Sequence, residues 1–448
     1  MLLDFMNPRD GGVMYKDIYS QLLDGVKSGA LKKGDRLPSI REASAQLGVS
    51  RTTVENAYMR LCVEGIAESR PQRGYFICGA DFAPERENKN VKTEKYRYDF
   101  SSQKIDPDSA DVSLWRKTVR RILNDSEQLV SYGDPQGEYD LRRALSEYSY
   151  KARGVRSTAD SIVIGAGVGP LLNILCGILK KDALVGMENG AFLQAMQIFS
   201  DYSIPCTVPE SDRNGAVVRS LSENGINVLF LQPSALPKVS VSGLNRRRSE
   251  FSDWVKSGDD RLIIEDDYNG ELRYTARSIS SFQGKEPENT VYIGSFSKLL
   301  LPSVRIAYMV LPPKILKEYD GRKKYYNQTC GKAEQLALCD YIETGALEKH
   351  LRRLRKLYNG KSRLLCESLK SRLCCFSSLT LYETSLTVEV KTKLKSDSGE
   401  ICAAAQRYGV RLIKTDDSGS FRMCFGGIKT EDIINAVERI NNCLKLLT

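Results

Sequence analysis

The sequence predicts two folds in series: a winged helix-turn-helix, α with a β wing, over residues 1–78, and an α/β domain on a mostly parallel sheet over residues 98–448. Three observations predict this. In the first part apolar residues recur at helical spacing between glycine and proline stops, and the part ends in two β-like pieces. Residues 79–97, GADFAPERENKNVKTEKYR, are charged and poor in aliphatics, which reads as an exposed linker. From Tyr98 onward strand-like runs alternate with helical ones, the order that builds a parallel sheet with crossover helices.

In the first part, Ile18, Leu22 and Val26 make one face of a helix over 15–28, stopped by Gly29 and the KKGD run. Pro38 and Ser39 open a second helix with Ile40, Ala43 and Leu47 inward and Gly48 at its end. Ser50 is the expected N-cap of a third, buried through Val54, Ala57, Tyr58 and Leu61. After Gly65, residues 66–69 and 75–78 read as short strands joined through Arg70-Pro-Gln-Arg-Gly74. In the second part, strands are expected at 161–164, 227–231, 261–264, 290–293 and 306–311. A long helical stretch then runs through 335–365 to a smaller region with strands near Thr387 and Phe421. The large part thus spans about 98–311 and the small part 312–448.

Of 448 residues, 41% are hydrophobic and 27% charged, an ordinary globular mixture with ample chain to bury a core. Among the longest apolar runs is LLNILCGIL at 171–179, far short of the ~18 residues a membrane span needs. The start, MLLDFMNPRD, has no basic n-region. Membrane and secreted classes are thereby excluded and a cytoplasmic protein is expected. Twelve cysteines are scattered with no CxxC, and His350 is the one histidine, so reduced thiols and no metal site are expected. His350 sits between charged neighbours and reads as a surface or interface residue. Lys and Arg number 66 against 56 Asp and Glu, a formal +10 that permits an acidic partner such as nucleic acid without requiring one.

The stretch GDRLPSIREASAQLGVSRTTVENAYMRLCVEGIAESRPQRGYFIC (34–78) closely resembles the GntR-type winged-helix family. In a helix-turn-helix the second helix enters the major groove and its first residues meet base edges and phosphates. Here those are Ser50, Arg51, Thr52 and Thr53, with Arg51 suited to a bidentate contact with guanine. Arg36 and Arg41 suit backbone or base contacts, and Arg70, Arg73, Gly74 and Tyr75 would reach the neighbouring groove of double-stranded DNA as a wing. Residues 1–79 carry 11 Lys and Arg against 9 Asp and Glu, so placement of charge, not its sum, makes the case.

In the second part a strand-like VYIG leads into Ser295-Phe-Ser297-Lys298-Leu-Leu-Leu-Pro302-Ser-Val-Arg305 and a further strand-like run. A lysine held between strands beside hydroxyls and an arginine suits covalent binding of pyridoxal 5'-phosphate, with the hydroxyls and guanidinium on its phosphate. About thirty residues earlier a strand ends in Glu265-Asp266-Asp267-Tyr268, where one acid could pair with the pyridinium nitrogen. With YGDPQGEYDLRRAL (132–145), EDDYNGELRY (265–274) and AEQLALCDYIETGALEKHLRRLRKLY (333–358), the chain resembles the MocR subfamily of GntR regulators over nearly its whole length. Those proteins join a GntR-type reader to an aminotransferase-like domain of PLP-dependent fold type I. The resemblance implies a Lys298 Schiff base, Asp266 on the ring nitrogen and Tyr268 on the phenolic oxygen. It places Ser295, Ser297, Arg305 and the backbone of Val168 and Gly169 around the phosphate, Phe192 on the ring, and Tyr132 at the phosphate of the opposite subunit of a homodimer. Arg422, in SFRMCF, matches the arginine that holds an amino acid's carboxylate.

The chain also departs from that pattern. Gln232-Pro-Ser-Ala-Leu-Pro237-Lys-Val lacks the polar side chains expected near the phenolic oxygen. Glu188-Asn-Gly-Ala-Phe192 lacks the usual proline and hydroxyl, and Gln194 stands where some relatives carry a second arginine. Intact cofactor anchoring with an eroded substrate side favours a regulator that senses pyridoxal phosphate, or an amino compound joined to it, over a working aminotransferase or a bare dimerisation scaffold. A dinucleotide reading of Gly165-Ala-Gly167-Val-Gly169-Pro170 fails at the third glycine, where proline stands. The Arg352-Arg353-Arg355-Lys356 cluster reads as a solvated helix face.

Overall fold

The computed structural model describes residues 15–78, 96–102, 104–106, 109, 112–188, 192–212, 214–233, 241–274 and 280–447. The expected linker falls almost wholly outside the described residues. By contacts the chain divides into two compact units, Met1–Glu94 and Lys95–Thr448.

The first unit is built as its periodicity dictates: α1 (Tyr15–Lys27), α2 (Ile40–Leu47), α3 (Arg51–Val63) and an antiparallel hairpin of β1 (Ala67–Arg70) and β2 (Gly74–Ile77). Ser39 accepts from the Glu42 N–H while Glu42 accepts from the Ser39 N–H, a reciprocal cap that starts α2. Gly48 ends it in the left-handed region, at φ 65°. Ser50 caps α3 by accepting from the Thr53 N–H. Ile18, Leu22, Val54, Ala57, Tyr58 and Leu61 close one core. Both hairpin strands start one residue from their expected positions.

The second unit is organised on a seven-stranded sheet of β3 (Ile162–Gly165), β4 (Val185–Met187), β5 (Cys206–Thr207), β6 (Val228–Leu231), β7 (Leu262–Asp266), β8 (Thr290–Ser295) and β9 (Ala307–Val310). Their spatial order is β3-β9-β8-β7-β6-β4-β5. β9 runs antiparallel to both its neighbours and the other pairings are parallel. The connection 296–306, which carries Lys298, is too short for the crossover helix a parallel neighbour needs, so the chain turns back. Alternation along β7 sorts its residues: Ile264 packs on one face with Val163, Phe199, Phe230 and Ile293, whereas Ile263 packs on the other with Leu229, Phe251 and Trp254. Two helices cover the first face, α4 (Val168–Ile178) and α5 (Leu193–Asp201), and α6 (Val241–Lys256) covers the second.

The helical stretch through 335–365 is two helices, α7 (Lys332–Glu343) and α8 (Ala346–Arg372), rather than one. They break at Gly345, which sits at φ 68°, a conformation no helix interior holds. His350 is buried at 3% exposure on α8, against the surface position expected of it; its ring lies edge-on to Tyr341 and its Nδ1 is 3.1 Å from Arg353. Helical phase decides this: Leu347, Leu351 and Leu354 face the core, and His350 shares their side. Beyond α8 an antiparallel sheet of β10 (Phe376–Tyr382), β11 (Thr387–Thr392) and β12 (Ser420–Cys424) completes the small region; its first strand was not expected. No helix among the described residues is long and apolar enough to cross a membrane.

Candidate functional site

At the reading end, Arg51 and Thr52 stand exposed at the first turn of α3. The Ser50 and Thr53 hydroxyls bond each other at 2.8 Å as part of the cap, so they meet a phosphate only while also holding the helix start. Arg41 is exposed on α2. Arg36 is exposed beside β2, with its Nε 3.5 Å from where a Cβ on Gly74 would lie. Arg73 is exposed at the hairpin turn. Two wing residues are less free than expected. Arg70 pairs with Glu68 and lies 4.5 Å over the Phe76 ring, and Tyr75 turns inward, edge-on to Tyr58 at 5.0 Å. The hairpin needs an aromatic to join the helical core, and Tyr75 is the residue in register to do it.

In the second unit the expected cofactor residues gather at the carboxyl ends of β7 and β8 and the start of α4, where an α/β sheet presents ligand sites. Lys298 is 8% exposed, its Nζ 3.4 Å from the Ser385 carbonyl and 5.4 Å over the Tyr268 ring. Burial pulls the Lys298 ammonium below the ordinary lysine range, toward the neutral amine that attacks carbonyls. Burial likewise pushes the Tyr268 phenol above its usual range, helped by the neighbouring Asp266 carboxyl.

The three acids of the cluster separate by partner. Glu265 accepts from the Phe282 and Gln283 backbone N–H groups, at 2.7 and 2.9 Å. Asp267 pairs with Arg153 at 2.6 Å and accepts from the Tyr292 hydroxyl at 3.1 Å. Asp266 accepts at Oδ2 from Gln232 Nε2 at 2.7 Å, but its Oδ1 is sealed from solvent with no partner among the described residues. Burial raises its pKa from 3.8 to about 7. A buried acceptor with nothing to accept from is the mark of a missing donor. The protonated nitrogen of a pyridine ring is such a donor, so the residues present fit the cofactor.

The phosphate end fits too. Gly167, at φ 95°, precedes α4 without a side-chain cap, leaving the first N–H groups of Val168 and Gly169 for a ligand. A Cβ on Gly167 would lie 2.6 Å from the Arg305 guanidinium, so only glycine lets that arginine close on the helix start. Arg305 Nη1 is 3.4 Å from the Ser297 hydroxyl, which is 3.3 Å from that of Ser295. Phe192 precedes α5, its ring 6.5 Å from Phe230 on the same face of the sheet as Ile264. Residues 189–191 and 234–240, two of the departures noted above, lie outside the described residues. Tyr132 is fully exposed.

Arg422 is already engaged along one edge. Its Nε is 2.6 Å from Glu389, directly across the β11–β12 ladder, and its guanidinium lies 5.4 Å over the Tyr382 ring. Sequence reasoning missed Glu389 and the Gln232 amide on Asp266. No motif marks either one; only strand register and the packing of β6 against β7 bring them in.

Residues 14–77 match the family described as bacterial regulatory proteins, gntR family. The chain is 31% identical to an uncharacterized HTH-type transcriptional regulator of Bacillus subtilis, YhdI, over 97% of both chains. It is 26% identical to the probable rhizopine catabolism regulatory protein MocR of Rhizobium meliloti, over 90% of this chain and 87% of that protein. Among solved structures, a Pyrococcus horikoshii kynurenine aminotransferase superposes with a TM-score of 0.68 at 22% identity, over 80% of this chain and 92% of the other. The second unit therefore has the aminotransferase fold. With a DNA-reading winged helix ahead of that fold, the chain belongs to the MocR type of GntR-family transcriptional regulators.

Proposed function

We propose that the second unit holds pyridoxal 5'-phosphate at Lys298, and that occupancy of this site, by the cofactor alone or with an amino compound, changes how the winged helices of a homodimer bind their operator. The observation that carries the reading is the Asp266 carboxyl, buried with one oxygen unanswered among the described residues, near a Tyr268 ring over which lies a lysine whose pKa burial lowers. Asp266 would face the ring nitrogen, Tyr268 the phenolic oxygen and Phe192 the ring. Ser295, Ser297, Arg305 and the N–H groups of Val168 and Gly169 would hold the phosphate. When bound, the group supplies an aldehyde that takes up amines. Burial favours the neutral amine of Lys298, and the chain fixes Asp266 through Gln232 and shuts out water around both. The exposed Tyr132 suits a role at the partner subunit's site. An Arg422 whose Nε is already taken by Glu389 has only its outer N–H groups left for an incoming carboxylate.

The test is the absorption spectrum of the full chain with pyridoxal phosphate, before and after borohydride, beside Lys298→Ala. A visible band that borohydride fixes on Lys298 in the wild type alone is the expected result, followed by an operator affinity that changes with occupancy. No band leaves the second unit as a dimerisation scaffold. Operator affinity that ignores a filled site refutes the coupling.

A further inference from the structure

Behind Asp266, on the opposite face of the sheet, lies a partly open cavity that the cofactor reading does not use. Its volume is about 60 Å³, and it is lined by apolar side chains including Leu231 and Phe282, by two acids, Glu188 and Glu265, and by Arg153, Arg247, Arg248 and Arg273. Glu188 accepts from the Ala216 N–H, and Arg247 pairs with Asp212 and Glu250. Since a site for one water needs about 10–15 Å³ on this measure, the space takes a group of several heavy atoms.

The arginines differ in what answers their charge. Arg153 is matched by Asp267. Arg248, on α6, donates to the Ser280 carbonyl and lies 5.7 Å over the Phe282 ring, with no carboxylate within ion-pair distance among the described residues. Arg273 has no such carboxylate either, and its Nε is closed off from solvent without an acceptor. Burial lowers the pKa of both and the nearby Arg153 lowers it further, which Glu265 and Asp267 offset only in part at Arg248, and Asp267 and Glu383 only in part at Arg273. Glu265 makes no ion pair with either: both its oxygens are taken by backbone N–H groups. Nor does the adjoining sequence supply an acid, because 234–240 (SALPKVS) and 275–279 (TARSI) contain none. A half-buried guanidinium with a sealed, unanswered N–H is costly unless an anion answers it.

We infer that this cavity is a binding site for a small oxyanion of the phosphate class, held between Arg248 and Arg273. Two guanidinium groups from different elements suit a tetrahedral dianion, which offers each fork its own pair of oxygens, better than a single carboxylate, which fills one fork. The anion is inorganic phosphate or the head of a phosphomonoester. The site is separate from the phosphate cup at Ser295 and Arg305, since Asp266 and Glu265 face opposite sides of β7.

The experiment titrates inorganic phosphate, and in a second arm glycerol 3-phosphate, into the full chain by calorimetry in phosphate-free buffer at constant ionic strength. Variants Arg273→Gln and Arg305→Gln separate the two sites. The expected result is a binding component weakened about ten- to hundredfold in Arg273→Gln and kept in Arg305→Gln. Tighter uptake of the ester identifies a phosphorylated metabolite as the occupant, and equal uptake identifies free phosphate. Phosphate binding that Arg273→Gln leaves unchanged, or that only Arg305→Gln removes, overturns the proposal; neither outcome touches the reading of Lys298. Folding is checked by melting in phosphate-free buffer, where Arg273→Gln is expected to be at least as stable as the wild type. A marked loss of stability there shows that Arg273 already has a structural partner, and also overturns the site.

Discussion

Asp266 and Asp267 are neighbours with the same side chain, and the structure predicts opposite consequences for the same substitution. Burial raises the Asp266 pKa from 3.8 to about 7, which corresponds to about 4 kcal/mol. The sign follows from proton affinity. The folded chain holds this proton more tightly than the unfolded one, so stability is full below about pH 4 and falls as pH rises to about 7. Asp266→Asn removes that dependence. Its amide oxygen keeps the Gln232 hydrogen bond, but it leaves a buried NH2 without an acceptor, a cost of about 1–3 kcal/mol. Without cofactor the variant is therefore more stable than the wild type by about 1–3 kcal/mol at pH 8, and the advantage shrinks or reverses at pH 5. Asp267→Asn instead takes the carboxylate out of the buried ion pair with Arg153, a loss of about 3–5 kcal/mol. Both tryptophans of the chain, Trp115 and Trp254, are buried in the second unit, so urea unfolding followed by their fluorescence reports on that unit alone. An Asp266→Asn protein destabilised at pH 8 as much as Asp267→Asn would mean that Asp266 has a structural partner, and the reasoning for a missing pyridinium donor would collapse.

Three other outcomes are expected. Arg51→Ala weakens specific operator binding by about 1–3 kcal/mol in a gel-shift titration while pyridoxal phosphate uptake is unchanged, because the two functions occupy separate units. Gly167→Ala forces a Cβ to within 2.6 Å of Arg305 at φ 95° and should weaken cofactor binding about tenfold or more, read by fluorescence titration, with Arg51-dependent DNA contacts intact. Glu389→Gln removes the carboxylate charge beside Arg422, so an amino acid effector that uses Arg422 should bind more tightly than to the wild type, and Arg422→Gln should abolish that gain; affinity unchanged in both variants would show that Arg422 plays no part in effector recognition.

Much of the site was legible because its chemistry is local. Ser295, Ser297, Lys298 and Arg305 lie on one short connection between two strands, and strand alternation puts Asp266 with Ile264 and away from Glu265. The same holds for the reader, where caps at Ser39 and Ser50 and the glycine at position 48 set three helices from short-range preferences alone. Misreadings arose where a residue's neighbours are distant in sequence. Tyr75 turns in to meet Tyr58, and His350 is buried because helical phase outranks the charges beside it.

By itself the sequence determined the order of the two units, the elements of the reader and the residue types at the cofactor site, since periodicity, capping and motif spacing act within a few residues. Only the tertiary structure decided which carboxyl of 265–267 is unanswered among the described residues, that Glu389 pairs with Arg422, and that Arg248 and Arg273 line one cavity without an ion-pair partner among the described residues. Charge pairing and desolvation depend on what each group meets across the fold, and strand register and helix packing set those meetings over separations that no local pattern records.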